Sequence, residues 1–248
     1  IEKIGYASGT CLFTSSFKDW SENNGGENKL TGDIRSQSGC WGCHWAFAAA
    51  AQIESDAKRR DASFTDILSP QQLVDCVTSN FGCSVFQATP DSLVNAFTYL
   101  EDARGLQTNS HYSYKVRQKK CKAKGNAGQN YDKVKVDGIY RDLTGDETCM
   151  ANYVQTTGPL AACLTTGANI KNYDGSAILT ASSCLNAAYW GPFWDTLHYT
   201  VCGQIVGVNL VANTDPYWKF RASAGVSWGD VGYAKIAYGS NACSISQN

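Results

Sequence analysis

The stretch Gln37-Ser38-Gly39-Cys40-Trp41-Gly42-Cys43-His44-Trp45-Ala46-Phe47 constrains this chain more than any other part of it. Its small and polar residues describe a loop, and the alanine-rich run from Ala46 to Arg60, with charges gathering at its end, predicts a mostly buried helix. Two thiols and an imidazole therefore crowd the start of one helix. That end carries partial positive charge, which lowers the pKa of a nearby cysteine. Its free N–H groups, with a glutamine amide, can hold a developing oxyanion. An α-helix turns about 100° per residue, so one residue more or less at this point re-aims every group around it.

The chain has 248 residues, enough for a substantial core in one large domain or two modest ones. It has 11 cysteines, a usage that suggests a secreted, extracellular or vesicular, lysosome-like setting. The number is odd, so at least one sulfur is free or pairs between chains. A net charge of -1 gives no electrostatic case for nucleic acid or an anionic membrane. No stretch is long and apolar enough to span a bilayer. Ile1 to Gly5 lack the apolar run of a signal peptide, so the chain reads as a mature product. Without an Asn-x-Ser/Thr acceptor, N-glycosylation is not expected.

Ser69 followed by Pro70 marks the start of a second, short helix. Leu93, Val94, Phe97 and Leu100 recur at helical spacing within a third, from Pro90 to Glu101. Beyond Lys115 the composition changes: a basic, loop-like stretch to Asn130 gives way to short β-prone runs. These are Val134 to Val136, Leu160 to Leu164, Val201 to Val208, Tyr217 to Phe220 and Tyr233 to Ala237. Helices first and strands later predict an α+β fold in two layers or lobes, with an antiparallel sheet that can curl into a barrel.

Several segments in order resemble one family. Gln37 to Phe47 resembles the nucleophile segment of the papain-like, cathepsin-type cysteine proteases. So do Phe17-Lys18-Asp19-Trp20, Leu68 to Cys76, Gly105 to Tyr114, Gly158-Pro159-Leu160 and Trp228-Gly229-Asp230-Val231-Gly232-Tyr233 with other family segments. The resemblance implies a mainly helical lobe over 16–125 and a mainly β, barrel-like lobe over 126–248. A cleft lies between them, and residues 1–15 form an N-terminal extension. It also implies three disulfides, Cys40–Cys83, Cys76–Cys121 and Cys184–Cys243. Cys11, Cys43, Cys149, Cys163 and Cys202 are left over, and Cys163 with Cys202 is a candidate fourth bridge on neighbouring strands.

The chemistry carries over less well. A papain-type site needs a thiolate, an imidazole base, an amide that orients the imidazole, and an oxyanion hole. If Gln37, Cys40 and Cys43 keep the family spacing, Cys43 is the nucleophile and His44 is an extra residue in the first helical turn. If Gly39, Gly42 and Trp45-Ala46-Phe47 keep it, the extra residue lies in the loop near Ser38 and His44 takes the nucleophile's place. Gln37 supplies the oxyanion contact. His198 is the candidate base, although counting back from Ile205-Val206-Gly207 puts the family's histidine at Val201; His111 reads as structural. The orienting asparagine is replaced by Ala222, and the tryptophan that shields it by Ala224. Val85 and Phe86 stand where a Gly-Gly pair lets substrate approach.

These departures touch nucleophile, base, orienter and cleft. They point to a papain-like pseudoenzyme with a structural or protein-binding role, through a protein partner or self-assembly. The rival is an active cysteine endopeptidase using Cys43 and His198 on peptide substrates. No cofactor or metal is expected in either.

Overall fold

In a computed structural model of the chain, the described residues are 11–12, 14–23, 26–80, 82–83, 89, 91–103, 105–123, 133–136, 145–185 and 199–246. Helix α1 spans His44–Arg60, and its last turn carries Lys58, Arg59 and Arg60, cations that suit the negative end of a helix. Helix α2, Pro70–Cys76, starts as the sequence predicts: Ser69 Oγ accepts from the Gln72 N–H at 3.1 Å, and Pro70 occupies the first turn. Helix α3, Asp91–Asp102, buries Ser92, Leu93, Ala96 and Leu100 along one face. Helix α4, Glu147–Thr156, was not anticipated, although Asp146 caps it by accepting from the Thr148 N–H at 2.7 Å. The short helix α5 is Ala181–Leu185.

The strands are β1 (Phe17–Asp19), β2 (Leu106–Gln107), β3 (Lys133–Val134), β4 (Leu160–Thr166), β5 (Ile178–Leu179), β6 (Tyr199–Asn209), β7 (Tyr217–Arg221) and β8 (Tyr233–Ala237). Six of them form a sheet in the order β1-β6-β7-β8-β5, with β4 also paired to β6; β2 and β3 pair separately. The fold is α+β as expected. The sheet departs from a purely antiparallel one, because β5 runs parallel to β8, and the described strands form an open path. Strand β6 carries the rest: β4 pairs along Tyr199 to Ile205, β1 along Gly207 to Asn209, and β7 on Gln204 to Asn209 with an irregularity between Ile205 and Gly207.

Two apolar cores result. One gathers Trp45, Phe47, Leu73, Val74, Leu100 and Leu106 around α1, together with Cys163 and Cys202 from the sheet. The other gathers Val154, Leu164, Ile205, Trp218, Phe220 and Ile236, and takes in Trp20 and Leu30 from the start of the chain. Five disulfides staple them: Cys11–Cys149, Cys40–Cys83, Cys76–Cys121, Cys163–Cys202 and Cys184–Cys243. Cys11, the first described residue, is thus tied to α4, a link the sequence left open. Cys163 and Cys202 face each other in the β4–β6 register.

Helix α1 packs against α2 and α3 on one side and β4 and β6 on the other. Its polar residues must therefore find partners inside the protein. Gln204 Nε2 donates to Gln52 Oε1 at 3.2 Å and to Ser55 Oγ at 3.1 Å, while Gln52 Nε2 donates to the Pro159 carbonyl at 2.9 Å. Glu54 Oε1 accepts from the Leu68 N–H at 2.7 Å and lies 3.4 Å from the Arg35 guanidinium. Buried Arg221 donates to the Asp33 carbonyl at 2.6 Å and also feels the Glu54 charge. Burial pushes Arg35 and Arg221 below the usual guanidinium range and Glu54 above the usual carboxylate range. Replacing Glu54 by glutamine keeps an acceptor for Leu68 but leaves buried Arg221 and half-buried Arg35 near each other without a counter-charge. We expect Glu54→Gln to lose about 3 kcal/mol in urea unfolding, as breaking a buried pair does. A loss below about 1 kcal/mol would show that the two arginines are solvated after all.

Candidate functional site

The loop and helix start singled out in the sequence converge on one buried cluster. Helix α1 begins at His44, and Cys43 is its N-cap, with no side-chain capping bond. Cys40 is bridged to Cys83, and His44 is the first helical residue, so Cys43 belongs to the cap and His44 to the first turn of α1.

Cys43 is 0 % exposed and is the free cysteine among the described residues. Its sulfur lies 2.9 Å from the Cys40 carbonyl and 3.3 Å from the Tyr114 hydroxyl. That hydroxyl gives its own proton to the Gln37 carbonyl at 2.6 Å. With the Tyr114 proton given to Gln37, neither oxygen donates to the sulfur, and the single S–H serves the Cys40 carbonyl, an arrangement that favours a thiol over a thiolate. Burial pushes the Cys43 thiol up to about 12. Tyr114, which the sequence placed only in a turn, packs edge-on against Phe47 at 5.0 Å between centroids. No local pattern signals so distant a partner.

His44 is 5 % exposed, so its ring does not open to solvent. Its Nδ1 accepts from the backbone N–H of Cys202 on β6 at 2.9 Å. A backbone N–H can only donate, so Nδ1 is unprotonated and the ring is neutral with its proton on Nε2. Burial also pulls its pKa down, to about 4. The ring nitrogen that could take a proton from a nucleophile is already committed to the strand. Val201, the position reached by counting back along β6, is paired with Leu164 on β4.

Gln37 also makes internal bonds. Its Nε2 donates to the Trp41 carbonyl at 2.9 Å, its Oε1 accepts from Ser223 Oγ at 2.9 Å, and its N–H donates to the Ser223 carbonyl at 2.9 Å. Ala222 is buried just beyond β7, with its N–H bonded to the Gly232 carbonyl; Ala224 is exposed and bridges to Ser36. A cavity of about 20 Å³, room for one water, lies beside Ala222, Gly203, Ala48 and Phe47. Trp41 is 57 % exposed, and the Lys171 ammonium sits 5.7 Å from its ring centre and 5.6 Å from that of Tyr199. His111 lies apart in a turn, where its Nδ1 meets Thr108 Oγ1 at 2.8 Å. His198, Val85 and Phe86 lie outside the described residues.

The sulfurs of Cys40, Cys43 and Cys83 all fall within 4.8 Å of one another, but two of the three are joined in a disulfide.

The family model described as papain family cysteine protease matches residues 14–248. The chain belongs to the papain family of cysteine proteases. Among curated members it is 36 % identical over 205 residues to a cathepsin L-like proteinase of Phaedon cochleariae, covering 82 % of this chain and 56 % of that one. It is 32 % identical over 227 residues to a viral cathepsin of Lymantria dispar multicapsid nuclear polyhedrosis virus, covering 92 % and 55 %. The chain thus spans a little over half the length of these papain-family relatives. In three dimensions it matches digestive procathepsin L 3 of the Tenebrio molitor larval midgut with a TM-score of 0.72 at 22 % identity, covering 94 % of this chain and 68 % of that one. It matches the bromelain protease of Ananas comosus, in complex with the E64 inhibitor, at 0.71 and 23 %, covering 94 % and 95 %. At these identities the structural matches speak for the papain fold alone.

The His44 bond has a measurable consequence. In the unfolded chain the ring binds a proton near its ordinary value of about 6.5. In the folded chain it does so only near 4. Between those values the unfolded state holds more protons, so stability rises with pH. The contribution is complete above the unfolded value and is lost as pH falls through the window to the folded one. Glutamine at the same position offers an acceptor that does not titrate. Between pH 6.5 and 4 the wild type should lose about 3 kcal/mol relative to His44→Gln in denaturant unfolding. Parallel pH profiles would mean that the ring is solvated and charged in the native state.

Proposed function

We propose that this papain-family chain is a pseudoenzyme: a protease fold whose nucleophile region has been rebuilt as packing, and which serves a structural or protein-binding role. One observation carries the reading. The first helical residue is a buried neutral imidazole bonded to the Cys202 N–H, and the neighbouring thiol of Cys43 is buried against two acceptor oxygens. Thiol chemistry in this fold needs a thiolate opposed by an imidazolium across the cleft. Here the thiol is held protonated, and the imidazole beside it has its acceptor nitrogen occupied. Three further features support the same reading. A methyl group stands at Ala222, where no hydrogen bond can orient a base. One hydrogen of the Gln37 amide is spent on Trp41. The five disulfides suit a secreted or vesicular protein better than a cytosolic one.

The partner chemistry in this reading is protein surface. Exposed Trp41, close to the rebuilt site and flanked by Lys171 and Tyr199, offers a large amphipathic contact of the type that anchors interfaces. No helix among the described residues is long and apolar enough to cross a membrane.

The purified chain should show no peptide-bond cleavage above background between pH 4 and 8, followed with unstructured protein and short peptide substrates. Cleavage that vanishes on Cys43→Ala would overturn the proposal, because it would make the buried thiol a nucleophile. Ala222→Asn alone should restore nothing. His44→Cys alone should also stay silent, since a thiol at the helix start still lacks a base; turnover in that single variant would show that another residue serves as one.

A further inference from the structure

The free thiol of Cys43 does not stand alone. It shares a 4.8 Å cluster with the sulfurs of the Cys40–Cys83 bridge, and several backbone bonds hold the three cysteines in register. The Cys43 N–H donates to the Cys40 carbonyl at 3.2 Å, closing a tight turn over Trp41 and Gly42. The Gly42 N–H donates to the Cys83 carbonyl at 3.2 Å, which pins the third cysteine beside that turn. Residues at the two ends of such a turn lie within about 7 Å at their Cα atoms, a span that overlaps what a disulfide needs. A thiol, a disulfide within reach and a backbone able to accept the alternative bridge are the parts of an exchange reaction.

We propose that Cys40, Cys43 and Cys83 form an intramolecular exchange unit, in which Cys43 displaces Cys83 from Cys40 and unmasks Cys83 as a thiol modification site for soft electrophiles. The step balances without an oxidant. Cys43 gives its proton to solvent base, its sulfur bonds to Cys40 Sγ, the Cys40–Cys83 bond breaks, and the departing Cys83 thiolate takes up a proton. One disulfide and one thiol are present before and after.

Burial sets the direction. Cys40 and Cys43 are 0 % exposed, whereas Cys83 is half-buried. Attack on Cys40 sends the charge out on the sulfur nearest to water. Attack on Cys83 would leave it on buried Cys40, where desolvation penalises the thiolate. The same burial makes Cys43 a slow attacking group at neutral pH, so the unit is quiescent there and opens as the medium becomes alkaline.

The test is alkylation of the native, fully oxidised chain with N-ethylmaleimide at pH 7, 8 and 9, without oxidant or reductant. Acid quenching, digestion at acid pH and unreduced peptide mapping follow. We expect the label on Cys83 together with a new Cys40–Cys43 bridge. The reaction should be first order in protein and rise about tenfold per pH unit, as the thiolate fraction of Cys43 does. The Cys43→Ser chain should take up no label and keep Cys40–Cys83. Label on Cys43 with Cys40–Cys83 intact would overturn the proposal, since the thiol would then react by simple opening. So would label on Cys40, a rate that depends on protein concentration, or no labelling after a day at pH 9. These outcomes are independent of peptidase activity, so the exchange unit and the pseudoenzyme reading stand or fall separately.

Discussion

Helix α1 has no wet side over most of its length, and much of the rest of the structure follows from that. From His44 to Ser55 it is held between α2 and α3 on one flank and β4 and β6 on the other, and the walls answer most of the polar groups it carries inward, the Trp45 Nε1–H excepted. Gln204 on β6 answers Gln52 and Ser55, Leu68 and Arg35 answer Glu54, and the Cys202 N–H answers His44. These bonds give the apolar contact between helix and sheet a defined register. Alanines alone would let the helix slide; polar pairs in a low-dielectric setting do not, because a lost bond leaves a desolvated group behind.

Catalysis of the papain kind asks the helix start for the opposite property. It needs groups whose hydrogen-bonding capacity is left open toward substrate: an amide hydrogen free for an oxyanion, an imidazole nitrogen free for a proton, a sulfur stabilised as an anion. In this chain the corresponding groups make internal contacts. One hydrogen of Gln37 Nε2 serves Trp41, His44 Nδ1 serves β6, and the sulfur of Cys43 faces acceptors. The site reads as a set of internal bonds, and the same residue types do the bonding. Composition at the motif therefore says less about chemistry than the direction in which each lone pair points.

Most of the fold was legible in the sequence, and the reasons are local. The Ser69-Pro70 start, the helical spacing of Leu93, Phe97 and Leu100, and the β-prone runs that became β4, β6, β7 and β8 each carry their own signal. Helix α4 escaped because its periodicity is weak; its Asp146 cap was the available clue. The parallel pairing of β5 with β8 escaped because two residues carry no pattern. The three family bridges were implied by resemblance, whereas Cys11–Cys149 joins segments 138 residues apart, and no local rule couples them. At the site, spacing alone left two alignments open. It could not say where the extra residue lies, since that depends on which neighbours hold fast. The Cys40–Cys83 bridge lies on one side of the helix start and the Trp45 to Phe47 turn on the other. Tyr114 and Ser223 were missed because their partners are distant in sequence and close only in the fold.

The position of His44 also shows how closely the start of α1 is tied to its surroundings. Burial and the positive end of α1 both favour a neutral ring over an imidazolium, so the residue is stable there in the form that cannot act as a cation. Cysteine at that position is shorter than imidazole. It would leave the Cys202 N–H without its acceptor and open a void between helix and strand, two penalties that add. Asparagine at Ala222 meets a different obstacle. The space beside it holds about one water. A histidine at Val201 of β6 would in turn replace an apolar strand residue facing Leu164. Each such substitution breaks a satisfied internal bond or crowds a packed space. Internal hydrogen bonding thus fixes the start of α1 in its present form.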